Sequence, residues 1–350
     1  MLDFLPGLNH HLKFTIYTFD PGLKSLVEKP PDQQSISISA VTLNRLPLTL
    51  RLLKSIEEHW SDFQGQILLA DNGSDPIVLA ELKNFLAGYK WKVSLLEIGQ
   101  NLGPAKARNL MLEACKTEWL LLLDNDMYFV SDPLPSLKET VEKLAVNFLN
   151  LPFLGIDGKH SQGIGGNLFL KEEGGTLKLN CGNSFRPALP ANLPIESPFL
   201  STFLCAGASC VRTEIFRALG GFDDELYAFE DLDFSLKLYK AGIKIGNAHR
   251  FHLIHGHEKA ETQLDRSYER VRHSQETIKA STDRIFAKYG VQIWSKEVES
   301  WLQERLKVSG LQQKPSAHLF GLNQNFLEKI ASKSLGALWI SLLRLFKLRP

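Results

Sequence analysis

The feature that most constrains this chain is a run of four leucines, Leu120 to Leu123, that ends abruptly on Asp124, Asn125 and Asp126. A strand with one wet face alternates apolar and polar residues, whereas buried strands of a parallel α/β sheet read as continuous apolar runs. The preceding segments fit that scheme. "SISISAV" (Ser35 to Val41) is a β-rich run, "LTLRLLKSIEEHW" has helical periodicity, and "GQILLADNGS" and "WKVSLLEIG" are further strand signals. "PAKARNLMLEACK" spaces Ala107, Leu110, Met111 and Ala114 as a helix does, with Pro104 near its start. Strands and helices in this rhythm predict an open, mostly parallel sheet flanked by helices.

Ligands of such sheets bind beyond the carboxyl ends of the strands. Here those ends carry "TLNR" (Thr42 to Arg45), "DNGS" (Asp71 to Ser74) and "DND", so three polar clusters are expected along one edge. No glycine-rich dinucleotide fingerprint or phosphate-loop motif follows the first strand, which argues against a nicotinamide enzyme and a phosphate-loop ATPase. Two carboxylates at a spacing of two, where the chain leaves the sheet, can face one ligand and hold a hard divalent cation. Such a cation also favours phosphate oxygens, which makes a nucleotide diphosphate its natural companion. An isolated D-x-D is also common in solvated turns; its position directly after the leucines favours a site.

Composition bounds the partners. The 350 residues carry 40 basic and 39 acidic side chains, a net charge of +1, which gives no electrostatic argument for nucleic acid. With 44% hydrophobic residues the chain can bury a sizeable core. The four cysteines are scattered, and "MLDFLPGLNHHLKF" lacks a signal-peptide pattern, so a reduced, cytoplasmic protein is expected. No apolar run reaches the roughly 20 residues that a membrane-spanning helix needs.

Two later stretches carry chemistry. In "LGGFDDELYAFEDLDFSLKLYKAG" (Leu219 to Gly242), Glu230, Asp231 and Asp233 crowd the start of a segment that ends with Lys240 and Gly242. Acids first and bases last suit a helix, although Leu232, Phe234, Leu236 and Leu238 also alternate as in a strand. Carboxylates at a pocket mouth can supply a general base, and helix starts are also acidic for purely structural reasons. In "HRFHLIHGHEKAE" the spacing of His249, His252, His255 and His257 fits no zinc finger. One of these histidines can complete a cation site.

Taken in order, "SAVTLNR", "LLADNGSD", "NLGPAKARNLMLEA", "LLLLDND", "CAGASCVR", "LGGFDDELYAFEDLDFSLKLYKAG" and "IHGHEK" resemble the motif series of family 2 glycosyltransferases, over about Ser35 to Lys259. The resemblance implies the glycosyltransferase A fold and inverting sugar transfer from a nucleotide-diphosphate sugar. It implies an N-terminal extension (1–33), a nucleotide-sugar-binding α/β half (34–132), an acceptor-binding half (133–260) and a helical C-terminal region (261–350). By the same resemblance Thr42 and Asn44 lie near base and ribose, Asp71 reads the base edge, and Arg108 helps hold the donor. Asp124 lies by the ribose and metal, Asp126 ligates Mg²⁺ or Mn²⁺, and His255 is a second protein contact, with His257 competing for that place. Asp231 is the catalytic base, Glu230 stands beside it, and Gly220 and Gly221 form the preceding turn.

The implied acceptor is a saccharide or lipid-linked saccharide, in cell-surface polysaccharide or glycolipid synthesis. A metal-dependent nucleotidyltransferase would use the first half but leave the "ED" segment without a task. A binding protein descended from a transferase would be expected to have lost one of these carboxylates. Between "DND" and "ED", "GIDGKHSQGIGGNLFLKEEGGTLKLNCGNSF" has the glycine breaks and short strands of hairpins over a pocket. The stretch after Ala260 is charged and helical without a motif. In 325–348, Leu335, Leu338, Trp339, Leu342 and Phe346 fall at helical spacing among Lys and Arg. That pattern suits either a helix lying on the inner face of a membrane or one docked on the protein's own core.

Overall fold

The computed structural model describes residues 29–256 and 262–308. The extension up to residue 28, His257 and the 325–348 segment lie outside the described residues. The order is β1 (Ile36–Thr42), α1 (Leu46–His59), β2 (Gln66–Asp71), α2 (Pro76–Ala87), β3 (Val93–Glu97), α3 (Pro104–Ala114), β4 (Trp119–Asp124), β5 (Met127–Phe129), α4 (Leu134–Leu144), β6 (Phe148–Asn150), β7 (Phe153–Leu154) and β8 (Ser161–Gly163). Then come β9 (Asn167–Glu173), β10 (Thr176–Gly182), β11 (Phe199–Ser201), β12 (Ala208–Arg212), α5 (Thr213–Ala218), α6 (Glu230–Lys240), β13 (Ile245–Asn247), β14 (Leu253–His255), α7 (Gln263–Arg272), α8 (Gln275–Tyr289), β15 (Val291–Gln292) and α9 (Lys296–Val308).

The described residues form one large sheet in the order β11-β13-β6-β12-β4-β1-β2-β3. Strands β4, β1, β2 and β3 run parallel, and β12 runs antiparallel to both β4 and β6. The mostly parallel α/β sheet flanked by helices that the sequence predicts is therefore the architecture found. The leucine run shows why. Leu121 and Leu123 join Ile36, Ile38 and Ala40 in a core roofed by α1 (Leu52, Leu53, Ile56) and α4 (Leu137, Val141). Leu120 and Leu122 point the other way, into a second core with Ala105 and Met111 of α3, Phe216 of α5 and Phe234 and Leu238 of α6. One strand thus feeds two cores, and on the second face the buried Ser37 and Ser39 of β1 lie beside Leu120 and Leu122, Ser39 Oγ donating to the Leu121 carbonyl.

Helix α2 is an element that the sequence reading did not anticipate. Asp75 caps it by accepting from the Ile77 N–H, and Pro76 occupies its first turn. It lies over one core with only Leu82 fully buried, so its apolar periodicity is weak. The "ED" segment is the helix α6, as its charged ends suggest. Two smaller sheets complete the fold. One, β5-β14-β7-β8, hangs from the end of β4; the other, β15-β10-β9, contains the glycine-flanked hairpin. All four cysteines are free, and among the described residues no helix is long and apolar enough to cross a membrane.

Because Leu121 is fully buried against the α1 core, Leu121→Ala is expected to lower the unfolding free energy by about 2–5 kcal/mol. Urea denaturation checks this, and a loss under ~1 kcal/mol would contradict the two-core packing.

Candidate active site

The carboxyl ends of β1, β2 and β4 open into one cleft, lined by Leu43, Asn44 and Arg45, by Asn72, and by Asp124, Asn125 and Asp126. The loops are cross-tied. Asn44 and Arg45 take left-handed backbone angles (φ 53° and 45°). The Asn44 N–H donates to Ser74 Oγ, its Oδ1 accepts from the Asp75 N–H, and the Asn72 N–H donates to the Thr42 carbonyl. Thr42 itself is buried, with its hydroxyl 2.7 Å from that of Thr49, and does not line the cleft. Asp71 lines an adjoining depression with Ser74, Lys83 and Glu97. Its Oδ2 accepts from the Ser74 N–H, and its buried Oδ1 has no hydrogen-bond partner among the described residues.

The residue between the two aspartates is tied to α1. Asn125 turns away toward α1, where its Nδ2 donates to Thr49 Oγ1 at 3.2 Å. Asp124 and Asp126 are left facing the cleft. Strand β14 pairs antiparallel with β5, His255 opposite Met127, and the Gly256 N–H donates to the Asp126 carbonyl. That pairing sets His255 Nε2 3.3 Å from Asp126 Oδ1. Asp124, Asp126 and His255 each offer a ligand atom, all within 4.8 Å of one another. Two carboxylates and an imidazole at this spacing suit Mg²⁺ or, with its nitrogen ligand, Mn²⁺. Burial disfavours the His255 imidazolium, but the Asp126 hydrogen bond and the Asp126 and Asp124 charges outweigh it and raise its pKa. Behind the cluster the Asp124 N–H donates to the Gly207 carbonyl, and a side chain at Gly207 would overlap the Asp124 carboxylate. That glycine lies in "CAGASCVR", and close approach explains it.

Arg108 joins this cluster to α6. Its guanidinium, 5% exposed, donates to Asp124 Oδ1 and to Glu230 Oε1, each at 2.6 Å. Burial opposes the Arg108 charge, and the two carboxylates more than offset that opposition. Glu230 is thereby committed to a cation. Asp231, half-buried, accepts only from the Leu232 N–H through Oδ1 among the bonds described. Desolvation first and the Glu230 charge second push its carboxyl up to about 7, against the pull of Arg108. The loop before α6 is locked by Asn109, the last residue of "ARN". Its Nδ2 donates to the Phe222 carbonyl and its Oδ1 accepts from the Phe222 N–H. Lys237 reaches back to the Leu219 and Gly221 carbonyls, with Gly220 and Gly221 both at positive φ.

Part of the cleft wall has no counterpart in the sequence reading. Asp265, Tyr268, Glu269 and Arg272 of α7, His273, and Trp301 and Arg305 of α9 line the same space. Helix α7 begins on a Thr262–Asp265 capping box, which is a readable start signal. Its cleft-facing residues are polar and fall at helical spacing, a pattern that sequence alone cannot tell from a solvated face.

The fold and the cleft define the class first: an open α/β sheet with a carboxylate–imidazole cradle at its carboxyl edge and a helix bearing two further acids set against it. The family model described as Glycosyl transferase family 2 matches residues 37–175 of the chain. The chain is similar to an uncharacterized glycosyltransferase of Haemophilus influenzae, 24% identical over 205 residues, 58% of this chain and 61% of that protein. It is also similar to a pre-mycofactocin glycosyltransferase of Mycobacterium tuberculosis, 27% identical over 185 residues, 51% of this chain and 35% of that protein. These alignments span less than two thirds of either relative. Similar solved structures include S. aureus TarS 1–349 in complex with UDP-GlcNAc (17% identity, 78% of this chain, 72% of that chain, TM-score 0.48). Another is GalNAc-T7 with UDP, GalNAc and Mn²⁺ (14% identity, 81% and 58%, TM-score 0.49).

Removing the Arg108 charge strands a buried carboxylate, so Arg108→Met is expected to cost about 3–5 kcal/mol. Adding Glu230→Met should restore more than half of that loss. Equilibrium denaturation of both variants checks this, and a neutral single variant would show that the bridge does not hold the two segments together.

Proposed function

We propose that this protein is an inverting glycosyltransferase that moves a sugar from a nucleotide-diphosphate donor to a hydroxyl acceptor. The observation that carries the reading is the arrangement on either side of Arg108: the Asp124–Asp126–His255 cluster on one, and Asp231, the carboxyl that Arg108 leaves unpaired, on the other. Inverting transfer needs these two functions on opposite sides of the anomeric carbon.

In this reading Asn44 and Asn72 hold the nucleoside at the ends of β1 and β2, and Asp71, at the end of β2 in the adjoining depression, reads the base edge. Asp124, Asp126 and His255 would hold Mg²⁺ or Mn²⁺, which when bound supplies positive charge to the departing diphosphate. Arg108 fixes Asp124 and neutralises Glu230. Glu230 is therefore a positioning residue and Asp231 the base, since Glu230 accepts from a guanidinium and Asp231 does not. Asp231 takes the proton of the acceptor hydroxyl as its oxygen attacks the anomeric carbon and the diphosphate leaves with the bonding pair. Its raised pKa makes it a stronger acceptor than an ordinary aspartate while leaving it ionised in part of the molecules near neutrality. The same reading extends to a saccharide or lipid-linked acceptor, a role in cell-surface glycan synthesis, and a cytoplasmic protein touching the membrane through 325–348, on sequence pattern alone.

Asp231→Asn is expected to fold and to bind a nucleoside diphosphate with Mn²⁺ as the parent does, while transfer falls by roughly 10²–10⁴-fold. Glu230→Gln should be milder. Because the base works only when deprotonated, parent turnover should climb as pH rises through about 7 and level off above it. A flat profile from pH 5.5 to 8.5, or full activity in both variants, would overturn the assignment.

Asp126→Ala removes one charged ligand, so Mn²⁺-dependent binding of a nucleoside diphosphate should weaken at least about tenfold by calorimetry. Unchanged binding, or equal binding in chelator-treated buffer, would rule out the metal site.

A further inference from the structure

A second pocket lies on the other side of the segment 203–207. It is lined by Asn150, Leu151, Phe153, by Gly163, Gly165 and Gly166, by Cys181, Gly182 and Asn183 of the hairpin, and by Phe203 and Cys205. No lining residue carries a charge. Glycine makes the floor, since a side chain at Gly163 would overlap the Phe153 ring and one at Gly166 the Phe203 ring. Two aromatic faces are thereby laid directly on backbone.

This pocket borders the reaction centre on two sides. The Leu204 N–H, between Phe203 and Cys205, donates to Ser235 Oγ at 2.9 Å, and that hydroxyl donates to the Asp231 carbonyl at 2.6 Å. Leu168, Leu170 and Leu179 of the hairpin pack with Leu232 and Leu236 of α6, so the hairpin stands on the helix that bears Asp231. On the second side the Phe153 ring meets the His255 ring edge-on, with centroids 5.6 Å apart. The loop itself separates the two spaces: Phe203 and Cys205 face this pocket, while Gly207 backs Asp124. The Asp231 charge also acts on Cys205 here, after burial, in holding its thiol protonated.

We propose that this pocket is the acceptor subsite and that it takes an uncharged sugar residue, whose apolar face lies on the phenylalanine rings and whose hydroxyl is offered to Asp231. The inference rests on the transferase reading above. Aromatic rings beside neutral amides such as Asn150 and Asn183 match the mixed apolar and hydroxyl character of a pyranose. A phosphorylated or carboxylated acceptor unit would find no counter-ion in the lining, and the nearest fixed charge on the α6 side is the like-charged Asp231.

Cys181, the exposed cysteine of the four, reports on this pocket without knowledge of the acceptor. In the full chain it is modified with an anionic and a cationic methanethiosulfonate of similar size, and peptide mapping locates the label. Relative to glutathione, the anionic reagent should be disfavoured at Cys181 by roughly tenfold, and Asp231→Asn should remove most of that bias. An unbiased ratio, or one that Asp231→Asn leaves unchanged, would show that the pocket does not face the base. In a transfer assay, Cys181→Trp, which fills the pocket, should lower transfer to methyl hexopyranosides by roughly 100-fold or more while nucleoside diphosphate binding with Mn²⁺ is kept. Undiminished transfer by Cys181→Trp, or preference for hexose 6-phosphates over the neutral hexosides, would overturn the proposal. Failure of the parent to bind any nucleoside diphosphate with Mn²⁺ would strike the transferase reading instead.

Discussion

The buried bridge from Asp124 through Arg108 to Glu230 is the contact on which the rest of the cleft depends. It joins the end of β4, the first turns of α3 and the start of α6, three segments more than a hundred residues apart at the extremes. A buried arginine is tolerated only with its charge matched, and here the matching carboxylates come from the end of β4 and the start of α6. The bridge therefore sets spacing as well as charge: it fixes the wall carrying Asp231 relative to the wall carrying Asp124. It also distinguishes the two members of the acidic pair, because Arg108 holds Glu230 and leaves Asp231 without a guanidinium partner.

Around this bridge the site is assembled by short elements. Three-residue strands β5 and β14 bring His255 to Asp126, and Asn109 and Lys237 clamp the turn that precedes α6. None of these elements holds much apolar surface. Their geometry is enforced by backbone pairing and by side chains reaching main-chain groups, and so the Asp126 and His255 side chains and the start of α6 are positioned with little freedom.

The sheet, its order of strands and helices along the first 124 residues apart from α2, and the placing of Asp124 at a strand end were legible because burial on two faces leaves an unmistakable trace in leucines, isoleucines and alanines. The metal-capable trio was legible through the motif series, although nothing in the sequence pairs β14 with β5. The role of Thr42 was not legible. The hydroxyl sits one position from the cleft and turns to Thr49, a choice of side-chain direction that strand periodicity leaves open. Nor was the α7 and α9 wall: a polar stripe facing a polar cleft has the same spacing as one facing water. Helix α2 was missed because an outer helix with one deeply buried residue hardly differs in pattern from a loop.

The leucine run has one further consequence. A strand with identical residues on both faces loses nothing in hydrophobic contact if it slides by one position, since a leucine replaces a leucine on either side. Alignment of β4 must therefore come from its ends. At one end the Trp119 N–H donates to the Ser35 carbonyl, and at the other the Asp124 N–H donates to the Gly207 carbonyl. A shift would bring Leu123 or Asn125 to Gly207 and take the Asp124 carboxylate away from Arg108. The acidic residue at the mouth of the cleft thus acts as the stop that tells an otherwise ambiguous strand where to halt.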